Sequence, residues 1–98
     1  MSTLHLVRQS AFSTTDFQQC LDIVASNDTI IFMDDGCYCL SHSLINHSAL
    51  SVNVGVSLYV LAEHVDARAI TTSKQIKKIA MSDVVKFTFE MDNVITWQ

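Results

Sequence analysis

Two short apolar runs near the start of the chain, Leu4-His5-Leu6-Val7 and Ile30-Ile31-Phe32-Met33, do not alternate apolar with polar residues. A strand with one wet face alternates, so runs like these belong to strands buried on both faces, as parallel strands covered by helices are. Residues 13–26 between them place Phe17, Cys20, Leu21 and Val24 at the i, i+3, i+4, i+7 spacing of a core-facing helix. Strand, helix and strand make one βαβ unit, which commits the chain to a parallel sheet. The second run ends in Asp34-Asp35-Gly36, a turn at the carboxyl end of its strand. Open α/β sheets place ligands and chemistry along that edge.

Beyond Gly36 the spacing predicts a short helix capped by Asp35, degrading into a loop near residues 41–55 as serine and asparagine accumulate. Ser57–Leu61 reads as a third buried strand and residues 62–68 as a short helix carrying Glu63, His64, Asp66 and Arg68. A fourth strand is expected at Lys78–Met81. Ser82 or Asp83 then caps a helix to about Met91, with Val84, Val85, Phe87, Thr88 and Met91 on its apolar face. Val94–Trp97 ends as a short extended segment. The expected architecture is a single domain over residues 1–98, a small three-layer α/β/α fold with a mostly parallel sheet of four to five strands. No repeat or linker interrupts it. With no proline and only Gly36 and Gly55, no Gly-rich phosphate loop can form.

Charged residues make up 16% of the chain and apolar ones 49%; an average domain is about 25% charged. So small a domain has much surface to cover, and the shortage of charge implies that part of it faces another subunit. Net charge is −4, and basic residues cluster only at Lys74, Lys77 and Lys78, with Lys86 further on. Direct nucleic-acid binding, which needs a basic face, is therefore not expected. The odd count of three cysteines argues against a disulfide framework. No signal-peptide pattern opens the chain, and no apolar run approaches the roughly 20 residues that span a bilayer. A cytoplasmic location with reduced thiols is the expectation.

Among residues that could carry chemistry, Cys20 sits mid-helix on the apolar stripe, where burial raises a thiol's pKa and the helix N-terminus is too far to help. A small core residue and a sulfur-handling thiol both remain open there. Cys37 falls near the start of the next helix, where free N–H groups favour a thiolate while Asp34 and Asp35 oppose it. Cys39 reads as a packing residue. Cys37, Cys39, His42 and His47 are zinc-ligand types, but Cys-x-Cys sends its side chains to opposite faces of a strand and the histidines follow too closely, so neither metal nor cofactor is expected. The Asp34-Asp35-Gly36 turn reads as a helix cap with a tight turn, or as the rim of a docking surface or sulfur pocket. His5, in a doubly buried strand, reads as a hydrogen-bonded core histidine.

Several motifs keep an order and spacing that resembles the TusB/DsrH family of sulfur-relay subunits. They are Leu4-His5-x-Val7-x-x-Ser10-x-Phe12, the helix with Phe17 and Leu21, Asp35-Gly36-x-Tyr38, Leu58-Tyr59-Val60-Leu61 with Ala67-Arg68, Asp83-Val84-Val85-Lys86-Phe87-Thr88, and Trp97. The resemblance covers nearly the whole chain. It implies a DsrEFH-like fold and a mainly scaffolding, non-catalytic role in a cytoplasmic sulfurtransferase complex. The implied partners are two related DsrE/DsrF-like (TusD/TusC-like) subunits in a heterohexamer, together with persulfide carrier proteins, the sulfur ending in 2-thiolation of the tRNA wobble uridine. In the sulfur-oxidation branch of the family a cysteine matches Cys20 and can itself handle sulfur. His64 replaces a common acidic residue, and Ala69 replaces the glycine that usually follows the arginine. Dissimilatory sulfur oxidation, and a stand-alone metal-binding or regulatory domain, are the competing expectations.

Overall fold

The computed structural model describes residues 2–50, 55–72 and 75–97. Five strands, β1 (Thr3–Val7), β2 (Thr29–Phe32), β3 (Ser57–Leu61), β4 (Ile76–Ile79) and β5 (Asn93–Trp97), form one sheet in the order β4-β3-β2-β1-β5. Every pairing is parallel. Three helices, α1 (Asp16–Ile23), α2 (Ala62–Ala67) and α3 (Met81–Glu90), lie in the crossovers. The expected three-layer α/β domain is present, with all five strands.

The steps from β1 to β4 all run the same way across the sheet, so right-handed crossovers send them over one face. Only the return from β4 to β5 crosses the other. Side chains follow that division, because successive strand residues point to opposite faces. Val7, Ile30, Phe32, Leu58, Val60 and Ile76 pack with Phe17, Cys20 and Leu21 of α1, with Cys37 and Cys39, and with Val65 of α2. Leu4, Ile31, Leu61 and Ile79 pack with Val84 of α3. Central β2 is buried at all of its residues, as its unalternating sequence requires.

Four features differ from the sequence expectation. β4 begins at Ile76, not Lys78, because an edge strand tolerates Lys77 and Lys78 in its middle, each side chain leaving by a different face. Helix α3 begins at Met81, and Asp83 caps it from inside: its carboxylate accepts the Ala80 N–H at 3.1 Å. The packed face of α3 is narrower than expected, since Val85 and Thr88 are exposed. After β2 the chain forms three 3₁₀ segments, Asp34–Ser41, Ser43–Asn46 and Ser48–Leu50, where a short helix and then a loop was expected. His42 separates the first two by accepting the Leu44 N–H on Nδ1 at 3.0 Å. The rest of the expected loop to Val54, and Lys74, lie outside the described residues.

The C-terminal segment is a full strand, paired with β1 from Thr3↔Asn93 to Val7↔Trp97. Trp97 Nε1–H donates to Nδ1 of buried His5 at 3.1 Å, and the two rings stack. An indole nitrogen only donates, so His5 Nδ1 accepts and its proton sits on Nε2, facing Asp28 Oδ2 at 3.0 Å. Asp28 also receives the N–H groups of Thr3 at 3.1 Å and Ala25 at 3.0 Å. The expectation of a hydrogen-bonded core histidine holds.

Two stability predictions follow from this geometry. Trp97→Phe keeps most of the ring but leaves His5 Nδ1 without its donor, and should cost about 1–3 kcal/mol in urea unfolding; Trp97→Ala should cost more. Ala69, just beyond α2, is left-handed with φ +51°, a conformation that costs an L-residue about 1 kcal/mol. Ala69→Gly should therefore raise the thermal midpoint by a few degrees, despite the larger unfolded-state entropy of glycine.

Candidate functional site

The carboxyl ends of β1, β2 and β3 are drawn together by backbone first. Met33 N–H donates to Val7 O at 3.0 Å, and Gly36 N–H to Met33 O at 2.9 Å. A Cβ on Gly36 would lie 2.0 Å from Val7 O, so glycine is demanded here by the close approach of β1. Asp34 turns left-handed at φ +50°, a conformation aspartate tolerates better than most residues. Its N–H donates to His64 Nδ1 at 2.8 Å, and its carboxylate receives Arg8 Nε at 2.7 Å. Asp35 receives Arg68 from Nη2 at 3.1 Å and from Nε at 3.3 Å. Arg68 also donates to His64 O at 3.1 Å, and its bond to Asp35 raises its already high pKa.

Two acids and two arginines thus form a clasp across three strand ends. Asp35 was expected to cap a helix; it makes no cap hydrogen bond and pairs with Arg68 instead. His64, the departure from the family pattern, is an acceptor for the backbone of the Asp34 turn, so its neutral ring carries the proton on Nε2. These partly exposed ion pairs are worth little as stability, typically under 1 kcal/mol each. Their use is geometric: they fix the shape of the edge. Sequence reading missed Arg8 and its bond to Asp34, because only the fold brings them together.

The three thiols are all free and fully buried, and Cys37 lies close enough to Arg68, Asp34 and Asp35 of this edge to feel their charges. Burial first, then the Asp28 charge and Cys39, pushes Cys20 from its ordinary 9.0 up to about 12. Cys39 is pushed to about 12, again chiefly by burial, and its Sγ reaches Gln9 O at 3.5 Å. Cys37 rises to about 11; burial outweighs the help of Arg68, and Asp34 adds to the rise. The expected thiolate support at a helix start is thus overcome by burial. At pH 7 a thiol of this kind is ionised on the order of one part in 10⁴ to 10⁵, which makes it a poor resting nucleophile.

Cys37 and Cys39 do not gather with His42 and His47. His42 uses Nδ1 on Leu44 N–H and meets Phe12 edge-on, with ring centroids 4.7 Å apart. Among the described residues no group of three or more His, Cys, Asp or Glu side chains could hold a metal ion. On the opposite face, a groove of about 280 Å³ runs between α3 and β4, lined by Tyr59, Lys77, Ile79, Lys86, Phe87 and Glu90. Its rim carries both signs of charge. No helix of the described residues is long and apolar enough to cross a membrane.

Comparison with known proteins adds three findings. The family model described as "DsrH like protein" matches residues 9–94. The solution NMR structure of protein Tm0979 from Thermotoga maritima superposes with a TM-score of 0.62 over 90% of this chain and 92% of that one. At 14% identity that likeness speaks for the fold alone. No curated protein matches the chain.

The buried thiols generate a pH prediction. Their native pKa values lie above the unfolded value, so between about pH 9 and pH 12 the native state holds more protons than the unfolded state. The stability tied to them is complete below pH 9 and is lost as pH rises through that window. Unfolding free energy by urea should fall more steeply from pH 8.5 to 10.5 in the native sequence than in Cys20→Ala, which lacks one of these groups.

Proposed function

From the premise that the chain belongs to the DsrH-like family of sulfur-relay subunits, we propose that it serves as the scaffold member of a cytoplasmic complex with two related DsrE/DsrF-like subunits. In this reading the complex is a heterohexamer, takes persulfide sulfur from carrier proteins and passes it toward 2-thiolation of the tRNA wobble uridine. The observation that carries the scaffold role is the burial of all three cysteines. Sulfane-sulfur transfer requires an acceptor thiolate to attack the outer sulfur of the donor's persulfide. The donor S–S bond breaks, its own sulfur leaves as a thiolate, and the acceptor holds the persulfide. That step needs a thiol that is exposed and ionised. Here Cys20, Cys37 and Cys39 are neither, so the receiving thiol belongs to a partner.

What this chain supplies is a fixed edge. The Arg8–Asp34 and Arg68–Asp35 pairs, the His64 bond and exposed Phe12 and Tyr38 define a surface on the side where the thiols lie. Such a surface can orient a donor and an acceptor chain without taking sulfur itself.

Purifying the chain from its native cell should bring down two related α/β subunits, identified by mass. Deleting its gene should lower wobble 2-thiouridine in bulk tRNA, and restoring Cys20→Ala should return it to near the normal level. Loss of thiolation in Cys20→Ala with the complex intact, or a mass gain on Cys20 after exposure to a persulfide donor, would make Cys20 a carrier and refute the scaffold role. An unchanged thiolation level in the deletion strain would remove the tRNA assignment.

A further inference from the structure

Helix α3 is the one helix packed with Leu4, Ile31, Leu61 and Ile79 on its face of the sheet. Five parallel strands span roughly 24 Å at about 4.8 Å each, whereas one helix covers about 10 Å, so α3 cannot cover the sheet to both edges. On the side of β4 the shortfall is the groove of about 280 Å³. Register places Lys77 beside Tyr59 and Ile79 beside Leu61, so Lys77 and Ile79 point to the α3 face with them. From the helix, Phe87 meets Tyr59 with ring centroids 5.0 Å apart and planes tilted by 43°. Both rings are half-buried and line the groove, so each keeps part of its surface open to it.

The cations at this groove differ from the others. Arg8, Arg68 and Lys78 are each paired with an aspartate, at 2.7, 3.1 and 2.6 Å. Lys77 and Lys86 form no ion pair among the described residues, and both line the groove, one from β4 and one from α3. Neither the Tyr59 hydroxyl nor these two ammoniums have a hydrogen-bond partner among the described residues, so three donors stand uncommitted around one aromatic floor. Of the two acids on the rim, Asp83 is turned to the Ala80 N–H at 3.1 Å. Glu90 stands one turn beyond Lys86 and is the acid left to oppose an incoming anion.

We propose that this groove is a binding site for a small aromatic carboxylate, its ring laid on Tyr59 and Phe87 and its acid group held between Lys77 and Lys86. A flat ring packs on aromatic faces by offset or edge contacts that a saturated ring cannot reproduce. A carboxylate takes charge-assisted hydrogen bonds from both ammoniums and a further one from the Tyr59 hydroxyl. The volume of about 280 Å³ lies at the lower edge of small-molecule sites, which start near 300 Å³. It has room for one or two fused rings with an acid group and not for a nucleotide. An extended peptide is the less suitable occupant, because lysines at the middle of an edge strand discourage a further strand from pairing there. The inference goes beyond the sulfur-relay reading and does not depend on it.

Titrating the full chain with benzoate in low salt, followed by amide NMR shifts, should give saturable changes centred on Tyr59, Lys77, Ile79, Lys86 and Phe87. For so small a ligand the dissociation constant should be about 1 mM. Lys77→Ala and Lys86→Ala should each weaken binding at least threefold, and Tyr59→Phe about twofold, in spectra that show the fold unchanged. Lys78→Ala, whose ammonium is engaged by Asp66, should leave it within twofold of the native value, and Glu90→Gln should strengthen it. Benzyl alcohol, which keeps the ring without the charge, and cyclohexanecarboxylate, which keeps the charge without the flat ring, should each bind at least threefold more weakly. The absence of saturation by about 20 mM benzoate would overturn the proposal. So would shifts centred on Arg8 and Arg68, indifference to both lysine variants, or equal binding of either control compound. A groove that ignores benzoate but responds to tetraglutamate would overturn it in favour of an acidic protein partner. None of these outcomes bears on tRNA thiolation, which is measured separately in cells.

Discussion

The buried bond from Trp97 through His5 to Asp28 decides how the last strand sits. β5 pairs with β1 from the far end of the chain, so it closes the longest loop in the fold and gains least from local structure. It is also an edge strand with no charged residue to set its register. Apolar packing alone would tolerate a slip of two residues, which keeps the same face inward. The indole N–H removes that freedom, because only the Val7↔Trp97 register brings it to His5 Nδ1. Asp28 completes the device by holding Thr3, Ala25 and His5 from one carboxylate, tying the start of β1 to the loop before β2.

The same core that fixes β5 silences the thiols. Moving Cys20 from 9.0 to about 12 corresponds to about 4 kcal/mol against the thiolate at 1.36 kcal/mol per unit. The sources are dehydration and the nearby charge of Asp28, both belonging to the packing that holds the domain together. The field of Arg68 lowers Cys37, and that arginine is already engaged by Asp35. The packing that buries the three thiols also disfavours their ionisation.

What was legible in the sequence was what local periodicity and resemblance encode. β2 announced itself by four apolar residues without alternation, and α1 by the stripe of Phe17, Cys20 and Leu21. β4 was misplaced because edge strands need not be apolar: Lys77 and Lys78 hid it, and its buried residues Ile76 and Ile79 stand three apart, a helical spacing and not an alternating one. The 3₁₀ run after β2 was read as a short helix because serine and asparagine mark weak helix without naming its replacement. His64 was noticed only as a departure from a pattern, and its bond to the Asp34 backbone needs the ends of β2 and β3 to be neighbours. Arg8 and Asp34, or His5 and Trp97, are partners that no window of sequence contains.

Strand order also accounts for the composition. Stepping from β1 to β4 in one direction devotes three connections to one face and leaves a single ten-residue helix for the other. A chain meant to stand alone would make the bare strip polar, as one-sided sheets do. Here Leu6 and Val94 stay apolar, and α3 adds Met81, Val85 and Phe89 beside them. The low charge fraction is thus not spread evenly over the surface. The strip beside α3 carries no charge, while ion pairs occur at the carboxyl edge and beside β4. One surface is thus shaped by ion pairs and the other by unburied hydrocarbon.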